Sequence, residues 1–406
     1  MHPTLTVMLL DCEEQGVVSA DLSRVLGELV GFHEIITVTR DDDVVISSLS
    51  TSIARASSDY LLFLSSDFCV CKDWEWLQML WAKREQAEVV LGSRYPLKPH
   101  SNEKSSGMKH QRNVIFRRLL DLDIHDFASG ILLCRRDVLG EFVPECKDAL
   151  MWVELLLHAH AQGYRIVELQ LPSACVSISK DRRFTANRQQ FIATLWRLWL
   201  LRNSIQCADY DARAFDSRIP FQRAWQRARY AAVKRFVPPQ ARTLDIGCGS
   251  SKILASLPEG SVGMDIQLNK LRFSRRYGRA LANGDTFRLP FAAQSFDCVL
   301  SSQVIEHLPA DDGVFDEMVR VLRPEGRLII GTPDYHSLWP IIERLYGFFA
   351  PNAYADEHIT HYYPTLLRKK MEVFGFQLDT FKYVFGAEWV GAFSRESRVC
   401  GAVEEA

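Results

Sequence analysis

The sequence predicts an α/β chain of two domains, each a sheet of short buried strands covered by helices. Three observations predict it. The 406 residues are enough for two to three ordinary domains of ~150 residues. Each half alternates short β-branched runs with longer helical patterns. Between the halves, residues 206–241 form a stretch of different, basic composition. The balance of 47% apolar, 24% charged and 11% aromatic residues excludes disorder as the main state. Forty-eight basic against fifty acidic side chains leave a charge of −2, so no whole-chain field exists to hold a nucleic-acid backbone and no nucleic-acid partner is expected. Ten cysteines with no C-x-x-C pair and no zinc spacing read as free thiols in a reducing compartment. The opening residues lack the basic flank of a secretory signal, and no stretch reaches the ~18 apolar residues of a membrane span. A cytoplasmic location is therefore expected.

In the first half, Asp59–Leu64 reads as a buried strand leading into Ser65, Ser66 and Asp67. Glu88–Tyr95 is a second strand, ending in an Arg94 that could reach a phosphate. A polar stretch from Pro96 to Lys109 precedes a helical pattern at Arg112–Leu120, then Ile124–Gly130, Ile131–Leu139, Trp152–Leu156 and Gly163–Leu169. The order of these motifs resembles the family 2 glycosyltransferases with a GT-A fold, most closely the polyprenyl-phosphate mannosyl- or glucosyltransferase type. The resemblance runs from about residue 4 to 202, within a domain placed at 1–205, and rests on Asp67, Gly92–Tyr95 (GSRY), Arg112 and Asn113, Asp126–Gly130, Glu154 and Gly163–Glu168. It implies a nucleotide-diphospho-sugar transferase-like fold, a nucleotide-sugar donor, a lipid-phosphate or glycan acceptor, and Mg²⁺ or Mn²⁺ on Asp67. The pattern also departs from the family. Ser65-Ser66-Asp67 keeps one carboxylate where a D-x-D pair has two, Thr39–Asp43 replaces the nucleotide-binding acids, and the R-x-x-G-x-SK element survives as Ser177–Lys180 followed by Arg182 and Arg183. Two readings follow. Asp67 acts as the metal-holding catalytic acid with Arg94, Asp126, Lys180 and Arg182 on the substrates, or the domain has lost catalysis and serves acceptor binding or protein interaction.

Phe191–Leu201 is apolar on most sides and carries Trp196 and Trp199, with Arg197 and Arg202 as the basic residues beside them. Such a helix is core or an interdomain contact, or else lies in a membrane interface and gives the protein peripheral membrane contact. Residues 206–241 read as a basic helical linker closed by Pro238 and Pro239, with a phosphate- or lipid-facing surface as the alternative.

In the second half, placed at 242–406, Thr243–Ile246 reads as a strand, Gly247–Ser251 as a tight loop and Lys252–Leu257 as a following helix. This is the first unit of a doubly wound sheet, whose ligands collect at the carboxyl ends of strands. A dinucleotide fingerprint would place a glycine where Lys252 stands, and Asp245 before the loop would repel a pyrophosphate. A ligand carrying an ammonium and a sulfonium would instead be attracted. Ser261–Asp265 reads as a second strand ending in an acid for two ribose hydroxyls, and Ala282–Asp285 brings a carboxylate for an amino group. Ser295–Ser301 is a fourth strand, Gln303–Leu308 opens a helix, and Val321–Ile330 gives a turn and a fifth strand.

This half is similar to the class I S-adenosylmethionine-dependent methyltransferases of small-molecule type, through LDIGCG, GD-x-x-x-LPF, FD-x-V, EHL and VLRPEG. The resemblance implies a Rossmann-like fold and S-adenosylmethionine, with Asp245, Gly247, Cys248 and Gly249 at its methionine end, Asp265 and Ile266 at the ribose, and Asp285, Thr286 and Ser301 around the adenine and the cleft. Asp245 could instead cap the loop, and Cys248 could be a small filler. A base is needed only for a hydroxyl or protonated-amine acceptor; His307 is the catalytic candidate, beside Glu306, His358 and His361, although a structural role for the EHL motif is the simpler reading. Residues 332–363 are expected to form the side that meets a small-molecule or glycan methyl acceptor.

Overall fold

The computed structural model describes residues 3–10, 20–30, 33–38, 51–65, 68, 74–97, 108–140, 142–146, 149–173, 188–349 and 358–395. Its contacts divide the chain into two compact units, 1–202 and 203–406. Asp67, Lys180 and Arg182 lie outside the described residues.

In the first unit, β1 (Leu5–Leu10), β2 (His33–Val38), β3 (Tyr60–Ser65), β4 (Val89–Ser93), β5 (Ile131–Arg135) and β6 (Ile166–Gln170) form one sheet in the order β2-β1-β3-β5-β4-β6. Only β5 runs against its neighbours. Side chains alternate across a strand, so Met8, Leu61, Phe63 and Leu132 enter one core while Val7, Leu62, Leu64 and Leu133 enter another on the opposite face. Both faces are therefore buried, as a largely parallel sheet requires. The chain leaves β1 to one side for β2 and returns on the other as β3, which makes the crevice beyond Leu10 and Ser65 a switch point.

The helix Arg188–Asn203 buries Leu198 and rests Phe191 and Leu195 on the first core. Arg197 pairs with Glu154 at 2.6 Å and Arg202 donates to the Leu120 carbonyl at 2.5 Å. Both arginines expected to flank a membrane-facing segment are thus engaged within the unit, while Ile192 and Trp196 remain exposed. No helix among the described residues is long and apolar enough to cross a membrane.

The second unit has β7 (Thr243–Ile246), β8 (Val262–Asp265), β9 (Ala280–Asn283), β10 (Phe296–Ser302), β11 (Leu322–Pro333), β12 (Phe376–Val384) and β13 (Glu388–Arg395), ordered β12-β13-β11-β10-β7-β8-β9. The run from β9 to β11 is parallel, and β13 is inserted antiparallel beside β11. The switch point falls between β7 and β10. Two expected helices are shorter than the sequence suggested. Ile253–Ser256 is stopped by Pro258, and the EHL segment forms only a 3-10 turn, Ile305–His307, because Pro309 follows.

The segment read as a linker is a wall of this unit. Pro220 starts the helix Pro220–Phe236, and Trp225, Ala232, Val233 and Phe236 are its buried face, a stripe at helical spacing. Ala232, Val233 and Phe236 share a core with Leu254, Leu300 and Ile329, while Trp225 and Arg229 both donate to the fully buried Glu388 of β13. Phe236→Ala is expected to destabilise the second unit by about 3 kcal/mol in urea unfolding, because it opens a cavity in this layer; a solvated linker would give no change.

Candidate active site

At the carboxyl ends of β7, β8 and β10 a cavity of about 590 Å³ opens within the second unit. Asp245 stands at its floor, 4% exposed, and its Oδ2 has no hydrogen-bond partner among the described residues. Burial first, then the nearby Asp265 charge, push its carboxyl up to about 8. Asp265, at the end of β8, accepts from the Gly249 and Gln267 amides at 2.8 Å each, one on each oxygen. Burial still raises its carboxyl. Each oxygen keeps a further acceptor site toward the cavity.

The loop between these acids depends on two glycines in the left-handed region, Gly247 at φ +66° and Gly249 at φ +53°. A Cβ on Gly247 would sit 2.4 Å from Val304, and one on Gly249 would sit 2.6 Å from an oxygen of Asp211. Asp211 comes from the segment before Pro220. It receives the Ser250 amide and hydroxyl at 3.1 Å each and Lys270 at 3.4 Å, and returns its own amide to Ser250 at 3.1 Å. Burial opposes its ionisation, but the Lys270 charge and the Ser250 bonds outweigh that and hold the Asp211 carboxyl below its usual range. Asp211 therefore braces the glycine loop, a role that nothing in its local sequence announces.

Of the other expected residues, Ile266, Asp285 and Thr286 line the cavity. Asp285 is exposed and accepts from the Phe287 amide at 2.9 Å. Gly247, Cys248 and Gly249 also line the cavity; Cys248 is 2% exposed and its thiol is pushed well up by burial, so its side chain fills space beside the loop. Ser301 is fully buried and does not line the cavity; Ser302 and Gln303, at the strand end, take its place.

The other side of the cavity carries His307, Trp339 and His358. Glu306 lies behind them at 0% exposure with neither oxygen hydrogen-bonded among the described residues, and burial pushes its carboxyl up to about 8. Nδ1 of His358 is 2.8 Å from Glu343 and 2.7 Å from the Tyr335 hydroxyl, which donates to Glu343 at 3.0 Å. Burial and the neighbouring His307 lower the His358 pKa. His361 stacks on Tyr335 at 3.9 Å and does not line the cavity. Every buried, unpartnered side-chain polar atom described in the second unit belongs to Asp245, Ser301, Ser302, Gln303, Glu306, Thr332 or Trp339. Folded interiors pair nearly all such atoms, and of these residues Asp245, Ser302, Gln303 and Trp339 line the cavity, where a polar ligand would meet them.

In the first unit, Arg94 at the end of β4 meets Asp126 bidentately, Nε at 2.7 Å and Nη2 at 2.9 Å, and also donates to the Ala128 carbonyl at 2.9 Å. Asp126 is 0% exposed. This gives Arg94 a structural partner in place of the expected phosphate, and gives Asp126 one in place of a substrate. Asn113 accepts from Phe127, Glu168 from His125 and Asp126, and Glu154 from Cys146, so the motif residues hold the 121–130 loop and its surroundings in shape. A cavity of about 920 Å³ lined by Asp59, Tyr60, Arg135 and Arg136 sits at the amino end of β3, opposite the end that leads to Asp67.

Because native Asp245 binds its proton up to about pH 8 and an unfolded Asp only to ~3.9, the folded state holds more protons between these values. Stability therefore falls as pH rises through that window. In ligand-free protein, Asp245→Asn is expected to raise the melting temperature of the second unit at pH 8 and to change it little at pH 4, as measured by differential scanning calorimetry.

Residues 25–142 match the Glycosyl transferase family 2 model and residues 244–330 the Methyltransferase domain model. A malonyl-[acyl-carrier protein] O-methyltransferase of Methylococcus capsulatus is 33% identical over 160 residues, covering 36% of this chain and 57% of that protein. A demethylmenaquinone methyltransferase of Beutenbergia cavernae is 34% identical over 148 residues, covering 34% and 59%. The chain thus spans little more than half the length of these relatives. Among solved structures, magnesium protoporphyrin IX methyltransferase of Synechocystis, crystallised with SAH, aligns at 16% identity and a TM-score of 0.35, over 46% of this chain and 97% of that one. The chain thus carries one segment that matches the glycosyl transferase family 2 model and, after it, one that matches the methyltransferase domain model.

Proposed function

We propose that the second unit is an S-adenosylmethionine-dependent methyltransferase acting on a small-molecule or glycan acceptor. The observation that carries this reading is buried Asp245, whose Oδ2 has no hydrogen-bond partner among the described residues, beside a glycine loop; a ligand bringing an ammonium supplies the countercharge that its ionised form lacks. Asp245 then takes the cofactor's ammonium, the free acceptor sites of Asp265 take the ribose hydroxyls with Ile266 beside them, and Asp285 and Thr286 meet the adenine. When bound, the cofactor supplies an already activated methyl group. The chain's work is to align the acceptor atom with it and to exclude water. For a hydroxyl acceptor, His307 on the cavity wall takes the proton. Asp265→Ala should weaken S-adenosylmethionine binding at least tenfold by titration calorimetry; unchanged affinity would remove the ribose assignment.

For the first unit we propose transfer from a nucleotide sugar to a lipid-phosphate or glycan acceptor, with Asp67 holding Mg²⁺ or Mn²⁺ and Lys180 and Arg182 on the diphosphate, in the cytoplasm or at a membrane surface. The family match and the switch point beyond Leu10 and Ser65 support it. The alternative is an inactive module for acceptor binding or protein interaction, favoured by the single carboxylate of Ser65-Ser66-Asp67. A ligand that binds the native state raises its stability, so a panel of nucleotide sugars should give a metal-dependent thermal shift that Asp67→Ala abolishes. No shift from any donor would leave the inactive module.

A further inference from the structure

The acceptor side of the second unit's cavity holds more ligand chemistry than methyl transfer needs. We propose that Glu306, His307 and His358 bind one divalent transition-metal cation there, with Zn²⁺ the best match.

Each of the three offers one ligand atom, and these atoms lie within 4.8 Å of one another. Glu306 is fully buried and neither of its oxygens makes a hydrogen bond of good geometry among the described residues; nearby, the Arg229 charge, itself bound to Glu388, and the Thr332 hydroxyl favour its ionised form. A carboxylate in that state is costly unless a cation or a proton compensates it. Glu343 supplies an independent sign. Its carboxylate sits 2.8 Å from Nδ1 of His358, and the Tyr335 hydroxyl holds it from the other side at 3.0 Å. A ligating imidazole ordinarily donates its second nitrogen to a carboxylate, which fixes the tautomer and raises its basicity; with Nδ1 so engaged, Nε2 carries the lone pair.

Two imidazoles and one carboxylate favour a borderline metal over Mg²⁺ or Ca²⁺. The same set leaves a fourth position open in catalytic zinc sites. His307 and His358 both line the cavity, so that position faces the acceptor. An acceptor presenting a hydroxyl or phenol oxygen would complete the coordination and be held by its own nucleophile, the cation lowering its pKa, so that with the site filled His307 is a ligand and no longer the base. This last step rests on the methyltransferase reading; the cation site does not.

The test uses the full chain stripped with a chelator and titrated with Co²⁺, whose d–d absorption reports coordination, followed by displacement with Zn²⁺. One equivalent with the intense visible bands of a four- or five-coordinate site is expected, distinct from the weak bands of any six-coordinate Co²⁺ on the oxygen ligands proposed around Asp67. Glu306→Gln, His307→Gln and His358→Gln should each weaken binding by at least ~100-fold, and Glu343→Gln by ~10–100-fold, the range for an outer-shell partner. If Glu306→Gln fails to fold, His307→Gln on the cavity wall decides the matter. No bound equivalent in the wild type, or binding that folded His307 and His358 variants retain, overturns the site and leaves the cluster as a hydrogen-bonded base. S-adenosylhomocysteine binding on the same samples reports the cofactor reading separately, so its presence without a metal equivalent sinks the cation alone.

Discussion

The second unit is organised around an acid, Asp245, that the fold buries and whose Oδ2 it leaves without a hydrogen-bond partner among the described residues. Asp245 lies in β7, an inner strand of the sheet at the switch point, where neighbouring strands exclude water and the glycine loop turns the Gly249 amide to Asp265 instead. An unpaired buried carboxylate is a cost to the folded state, and burial accordingly raises its pKa. What the site loses in stability it gains in selectivity, since only a ligand bringing positive charge or donors recovers the loss. This is the usual relation between strain at a functional site and compensation elsewhere.

The compensation is visible in the helical segment before β7. Asp211 ties the loop through Ser250 and Lys270, and Trp225 and Arg229 tie the helix Pro220–Phe236 to Glu388 on β13. Left-handed Gly247 and Gly249 can take no side chain because Val304 and Asp211 occupy the space. The loop's shape is therefore set by packing from both sides, which holds the two acids in place before any ligand arrives.

Much of this was legible in the amino-acid sequence. TLDI followed by GCG, and the acids at 265 and 285, predicted a strand, a loop and a cavity that the structure contains. The role of 206–241 was misread because its arginines dominate the composition, although Trp225, Ala232 and Phe236 already stood at helical spacing. Asp211 was not legible, since its importance comes from a partner 39 residues away. Ser301 failed by one position, because only the strand's end reaches the cavity. In the first half, Arg94 and Asp126 looked like ligands for phosphate and substrate, but charge at a strand end does not say whether its partner is a substrate or another side chain.

Both units are built on a largely parallel sheet with a switch point at the carboxyl ends of its strands. In the second, the central claim is that Asp245 is protonated when alone and ionised when a cationic cofactor arrives. Titration calorimetry of S-adenosylmethionine binding in buffers of different ionisation enthalpy measures that directly. The account predicts release of about one proton at pH 7, little at pH 9, and none in Asp245→Asn. Binding with no proton release at pH 7, or release that Asp245→Asn preserves, would contradict it.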